Sequence, residues 1–273
     1  MNKLLTASVA LLALGLSVPA KAADMPVKYV APTVFTWTGC YVGATIGYKW
    51  GRSKHTSTGS QNGVPNASGG YDIAPQFNLD GVIGGGEAGC NYQVGSWVYG
   101  IEVDGSWSSA EGQAVDITYP GLGFFSPLYV SKTSERWLGT ARGRLGYASD
   151  KWLWYVTAGG AWTGVDINTS NVGIAAVPTQ FNIQRVNKAG WVVGFGSEYA
   201  LVGGWSVKSE WLYANFGTIH AFDYAGGPIC APATLDCSAR DVKLYEFIWR
   251  VGMNYRFDWA SWGKGKAPVV AKY

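Results

Sequence analysis

From Tyr245 to Phe257 the chain reads YEFIWRVGMNYRF, with a large apolar side chain at every odd position. Glu246, Arg250, Asn254 and Arg256 occupy the even positions, with Ile248 and Gly252 between them. A period of two puts these sets on opposite faces of a β-strand. Similar patterning marks eight segments: 37–50, 81–94, 96–108, 136–148, 152–164, 189–201, 205–216 and 243–257. Their connections alternate in length. Gly95-Ser96, Ser149-Asp150-Lys151 and Val202-Gly203-Gly204 are tight turns, whereas 51–80, 109–135, 165–188 and 217–242 are long and rich in Gly, Pro, Ser, Asn and Thr. Short turns at one end and long loops at the other are the organisation of a membrane barrel. Segment length agrees, since an apolar band about 25 Å tall crossed at about 40° takes roughly 10 residues.

Three hairpins repeat one device. GCNYQVGSWVYGIE, GRLGYASDKWLWYVT and GSEYALVGGWSVKSE each place a Tyr before the tight turn and a Trp after it. The pairs Tyr92/Trp97, Tyr147/Trp152 and Tyr199/Trp205 share the apolar parity. They predict an aromatic girdle at one membrane boundary. The opposite face collects Lys49, Glu87, Glu102, Asp104, Arg142, Arg144, Glu198, Lys208, Glu210, Glu246, Arg250 and Arg256, six bases and six acids. In a soluble sandwich such a face would be solvated. In an eight-stranded barrel it would point into an interior just wide enough for side chains, where opposite charges pair across the lumen. The pattern therefore predicts an all-β fold: an eight-stranded, antiparallel, up-and-down transmembrane β-barrel with its aromatic face in lipid.

The N-terminus sharpens this. MNKLLTASVALLALGLSVPAKAAD has one early Lys, an uncharged run from Leu4 to Ala20 and small residues around Ala22, the pattern of a secretory signal peptide over 1–22. Residues 23–36 then form a periplasmic N-terminal segment, 37–257 the barrel and 258–273 a C-terminal extension. No other stretch approaches the ~20 apolar residues of a membrane helix. Without the signal peptide the chain has 19 basic and 18 acidic residues, which gives no reason to expect a nucleic-acid partner. Charged residues make up only 14% of the chain, against about a quarter in soluble domains, so much of the surface does not face water.

ADMPVKY, FTWTGCYVGATIGYKWG, WLGTARGRLGYA, WLWYVTAGGAW, GSEYAL followed by a Trp, and the closing VGMNYRF occur in an order that resembles the Omp25/Omp31-type outer-membrane proteins of α-proteobacteria. The resemblance covers essentially the whole mature chain. It implies a barrel in the bacterial outer membrane with both termini periplasmic, in a family of porin-like proteins of which some members are linked to haemin. Expected partners are outer-membrane lipid and lipopolysaccharide, the barrel-assembly machinery, and peptidoglycan or a surface ligand. Two departures stand out. Tyr255 and Phe257 would suit the aromatic end that the assembly machinery reads, yet 16 residues follow, so the signal is either internal or carried by Tyr273. Cys40 and Cys90 take outward positions near the short-turn end of the first two segments, where family members tend to carry aromatics. Of three connectivities, Cys40–Cys90 with Cys230–Cys237 is the one expected.

Other chemistry is thinly represented. Gly84, Gly86 and Gly89 match G-x-G-x-x-G but lie inside a strand with no helix after them, so they are expected to make room in the lumen rather than hold a dinucleotide. Neither cysteine pair has the spacing or His partners of a zinc site, and no cofactor or metal is expected. The two histidines, His55 and His220, are expected in loops at the outer rim without a strand-borne Ser at an evident matching position, so no enzyme is predicted. As iron ligands these histidines, with Tyr119, Tyr129 or Tyr224, would support a haemin receptor. A small-solute porin is the other alternative to a structural and surface-interaction role with a lumen plugged by charge.

Overall fold

The computed structural model describes residues 35–61, 64–65, 70, 72–116, 129–171, 181–222 and 238–257. The signal peptide, the tail 258–273, Cys230, Cys237, Tyr119, Tyr224 and Tyr273 lie outside them. The strands are β1 (Gly39–Gln61), β2 (Val64–Pro65), β3 (Phe77–Val94), β4 (Trp97–Ser108), β5 (Glu111–Val115), β6 (Tyr129–Ser149), β7 (Trp152–Asn171), β8 (Phe181–Ala200), β9 (Trp205–Ala221) and β10 (Ser238–Phe257). All pairings are antiparallel, and β1 pairs with both β3 and β10, which closes the sheet. β4 and β5 are one stave with an irregularity at Ser109-Ala110, because β3 and β6 each pair with both. β2 only pairs with the tip of β1. The ring therefore has eight staves, as the alternation predicts.

Its stagger can be followed through the register. Cys40 pairs with Cys90, then Ile101, Gly143, Ala158, Val193, Tyr213 and Phe247 succeed one another, and Phe247 pairs with Trp50. One circuit thus returns to β1 ten residues further on. That shear goes with a strand tilt of about 40°.

The staves are longer than predicted. β1 runs 23 residues and β6 21, against segments of 14 and 13 in the pattern. The added length is at the end with the long connections. Bulges between Glu135 and Trp137 and around Phe216 shift the pairing there and reverse which parity faces inward on β6 and β9.

The outer face carries a broad exposed apolar band, from Val42 and Ile46 round through Ile101, Val103, Val156, Val193 and Phe195 to Val251 and Met253. Water would not tolerate a continuous patch of this size on a soluble monomer. Rings bound it on both sides. At the tight-turn end Trp97 meets Tyr147, Trp152 meets Tyr199 and Trp205 meets Tyr255, with centroids 5.8, 4.8 and 5.1 Å apart. Tyr92 completes that girdle. A second girdle, not predicted, lies at the other end: Trp50 stacks on Trp211, Trp211 meets Trp249, and Tyr213 meets Trp191 and Phe247. On β4 the two girdles are marked by Trp97 and Trp107. Ten residues at ~3.4 Å, tilted by about 40°, rise about 25 Å, the height of the apolar band of an outer-membrane barrel.

Candidate functional site

The interior is layered. Nearest the tight turns, Trp37, Val98, Ala148, Leu153, Tyr155 and Ala200 form an apolar floor against which Phe35 packs. Above it lies an ionic layer. Arg250 grips Asp104 through both terminal nitrogens at 2.9 and 3.1 Å and donates to Glu210 at 2.7 Å. Arg142 bridges Glu210 at 2.9 Å to Asp104 at 3.1 Å and also bonds Glu102. Arg144 joins Glu102 at 3.2 Å to Glu198 at 3.0 Å, and its guanidinium lies 3.9 Å over the Tyr155 ring. Lys208 meets Glu87 at 2.6 Å and Glu102 at 3.1 Å. Tyr41 donates to Glu102 at 2.6 Å and Tyr155 to Glu210 at 3.1 Å. Bidentate and shared geometry of this kind is what makes buried charge tolerable, because Arg142, Arg250, Glu102 and Glu210 each keep several partners after losing water.

Two tyrosine hydroxyls need small residues opposite them. A Cβ at Gly89 would lie 2.5 Å from the Tyr41 hydroxyl, and one at Gly196 would lie 2.5 Å from that of Tyr155. Gly89 therefore makes room inside as expected. Gly84 and Gly86 do not: β3 turns its odd residues inward, so these two lie on the outer face, and Gly85 is the one pressed against Ser106.

Above the ionic layer the interior becomes apolar again. Leu79, Ile83, Leu138, Val165, Ile167, Val192, Leu212, Phe216, Ile219, Val242, Leu244 and Ile248 form one buried cluster. Lys49 sits within this region, bonded to Glu246 at 2.8 Å and to Glu135. Glu135 was missed by parity because the bulge at Arg136 turns it inward. Arg256 departs from the prediction. It lies at the tight-turn rim, only partly buried, where it donates to the Thr36 carbonyl and stacks 4.4 Å from the Phe35 ring centroid, with no ion pair to the interior layer.

The histidines are not in loops, contrary to expectation. His55 is on β1, fully buried and facing inward. Its Nε2 lies 3.1 Å from Ser53 Oγ and 3.0 Å from Thr133 Oγ1, so a strand-borne Ser does lie beside it. Its Nδ1 has no hydrogen-bond partner among the described residues, and Ser53 is fully buried, so the pair lacks both the orienting acid and the access of a hydrolytic site. Burial, reinforced by the Arg240 charge, pushes the His55 pKa down to about 3. His220 is on β9, faces outward and bonds Asp241 at 2.7 Å. One histidine inside the wall and one outside cannot share an iron. No cluster of three metal-ligating side chains occurs among the described residues.

Cys40 and Cys90 pair directly across β1 and β3 and form a disulfide on the outer face. Tyr255 and Phe257 end β10, opposite Val42 and Cys40.

The 31 kDa outer-membrane immunogenic protein of Brucella melitensis is 32% identical over 265 residues, covering 94% of this chain and all of the relative. The 25 kDa outer-membrane immunogenic protein of the same organism is 27% identical, covering 84% of this chain and 82% of its own length. Among solved structures, the outer-membrane protease OmpT of Escherichia coli matches at a TM-score of 0.48 and 12% identity, covering 82% of this chain and 98% of OmpT. The profile of the family described as outer membrane protein beta-barrel domain matches residues 8–257. The chain belongs to this family, as an outer-membrane β-barrel of the Omp25/Omp31 type.

Proposed function

We propose that this protein is a non-catalytic, non-conducting barrel that strengthens the outer membrane and presents its long connections at the cell surface. The observation that carries this reading is the layered interior, in which an ionic network lies between two apolar clusters. A porin needs a continuous water path. Here Leu212, Ile248 and Leu138 stand above the ions, and Trp37 and Leu153 below them. Haemin reception has less support, since the histidines face opposite sides of the wall. In this reading the assembly machinery takes up β10 at Tyr255 and Phe257, and the tail serves a periplasmic contact such as peptidoglycan.

Planar-bilayer recording of the purified protein, checked for the heat-dependent gel shift of a folded barrel, is the test. No discrete steps are expected. Stable single-channel steps of uniform size would replace this reading with the porin.

A further inference from the structure

Just beyond the second girdle, the outer face of β1 and β10 gathers three cations. Lys54 and Lys243 are directly opposite each other in the β1–β10 register, and Arg52, two residues nearer the membrane, is opposite Tyr245. Like charges facing each other across an antiparallel pair repel. Acids nearby relieve this only in part. Asp72 takes Lys54 at 3.0 Å, Asp80 accepts the Tyr48 hydroxyl at 2.6 Å, and Asp241 is bonded to His220 at 2.7 Å. Among the described residues, neither Arg52 nor Lys243 makes an ion pair.

Immediately below, on the same outer face, is a recess of about 580 Å³ lined by Trp50, Gly51, Arg52, Asn78, Asp80, Tyr245 and Phe247, in which the Asp80 carboxylate is engaged by the Tyr48 hydroxyl. Trp50 and Phe247 belong to the girdle, so the recess opens sideways at the membrane boundary. Arg52 and Lys54 lie two and four residues past Trp50, which raises them about 5 and 10 Å above it along the barrel axis. That is headgroup depth. A soluble anion would find the cations but leave the aromatic recess unused, whereas a lipid with a phosphorylated sugar headgroup would engage both.

We propose that Arg52, Lys54 and Lys243 bind a phosphate of an outer-leaflet glycolipid whose sugar rests against Trp50, Tyr245 and Phe247. Guanidinium and ammonium donors within about 5 Å of one another in height suit a phosphate dianion, with the Arg fork giving direction and the lysines charge. The site lies on the outer wall and is independent of whether the lumen conducts.

The test uses the folded full-length protein in neutral detergent, with binding read by native mass spectrometry. The probes are bis-phosphorylated lipid A, lipid A stripped of phosphate, and inorganic phosphate. Wild type is expected to hold phosphorylated lipid A on the order of tenfold or more tighter than the stripped form. The Arg52→Gln/Lys54→Gln/Lys243→Gln variant is expected to lose that preference, whereas Lys132→Gln/Arg185→Gln, on a different part of the wall, keeps it. Equal binding of the two lipids by wild type, or an intact preference in the triple variant, would overturn the proposal. Inorganic phosphate binding as tightly as the lipid would overturn the glycolipid as its source. Should the triple variant fail to fold, the wild-type lipid comparison and the single Lys243→Gln variant decide the question.

Discussion

The two halves of β10 differ in what they turn outward. From Tyr245 to Phe257 its outward residues are apolar and its inward ones include Glu246, Arg250 and Asn254. From Arg240 to Leu244 the same parity faces inward, and beside the buried Arg240 it carries Val242 and Leu244, while Asp241 and Lys243 face out. The parity of β10 itself does not change; the surrounding solvent does. Below the second girdle the wall touches lipid, so apolar groups go out and charges are paired within. Above it the wall touches water, and the staves turn charged residues such as Asp166, Arg185 and His220 outward, while Ile167, Ile219 and Val242 lie inside beside the buried Arg240 and a set of buried hydroxyls. The comparison teaches that this is a membrane barrel continued upward by a water-soluble one, on the same eight staves.

The largest effect should come from breaking the ionic layer. Arg250→Ala leaves Asp104 and Glu210 short of a buried partner and should cost about 3–5 kcal/mol. A fall in the urea midpoint of the barrel in lipid vesicles, followed by tryptophan fluorescence, measures it. An unchanged midpoint would mean that water reaches the layer.

The boundary itself is tested by one substitution made in each half. Ile101 and Val115 both point outward and are 69% and 54% exposed. Ile101→Arg places a charge in lipid and should cost about 2–4 kcal/mol. Val115→Arg places it in water and should stay within about 0.5 kcal/mol. Equal costs in the same unfolding assay would erase the distinction between the halves.

The smallest effect concerns acid. The folded-state pKa of His55 is about 3, well below its ordinary value, so the unfolded chain binds a proton that the folded one refuses. Its contribution is therefore complete above about pH 6.5 and is lost as the pH falls through that value toward 3. Between pH 7 and 5.5 the loss should be about 1 kcal/mol. It should appear as faster proteolysis of the upper staves and be reduced in His55→Asn. A pH-independent difference between the two proteins would refute it.

Much of this was readable from residues. The eight staves, the tight-turn girdle and the inward positions of Lys49, Glu102, Arg142 and Glu210 all follow from strict alternation wherever one side is lipid. The upper staves were harder for a physical reason. In RSKHTS both faces of β1 are polar, since Arg52 and Lys54 point to water while Ser53 and His55 point to a hydroxyl-lined interior. Without contrast there is no period to detect, and the stretch looks like a loop. Glu135 was hidden differently: a single extra residue at Arg136 inverted the parity that identified its neighbours. Arg256 has the right parity but lies at the tight-turn rim, where the Thr36 carbonyl and the Phe35 ring take its guanidinium.

The ten-residue stagger also has a mechanical meaning. A closed ring of paired strands cannot widen gradually, because its bore depends on strand number and on an integer offset. Sliding one strand by a single residue would turn its charges into lipid and its tryptophans into the interior. The next permitted width requires a two-residue slip along a whole seam, with every hydrogen bond of that seam broken at once. This cylinder is therefore a fixed gauge rather than an adjustable valve, and whatever it offers a partner it must offer from its outer wall and its rims.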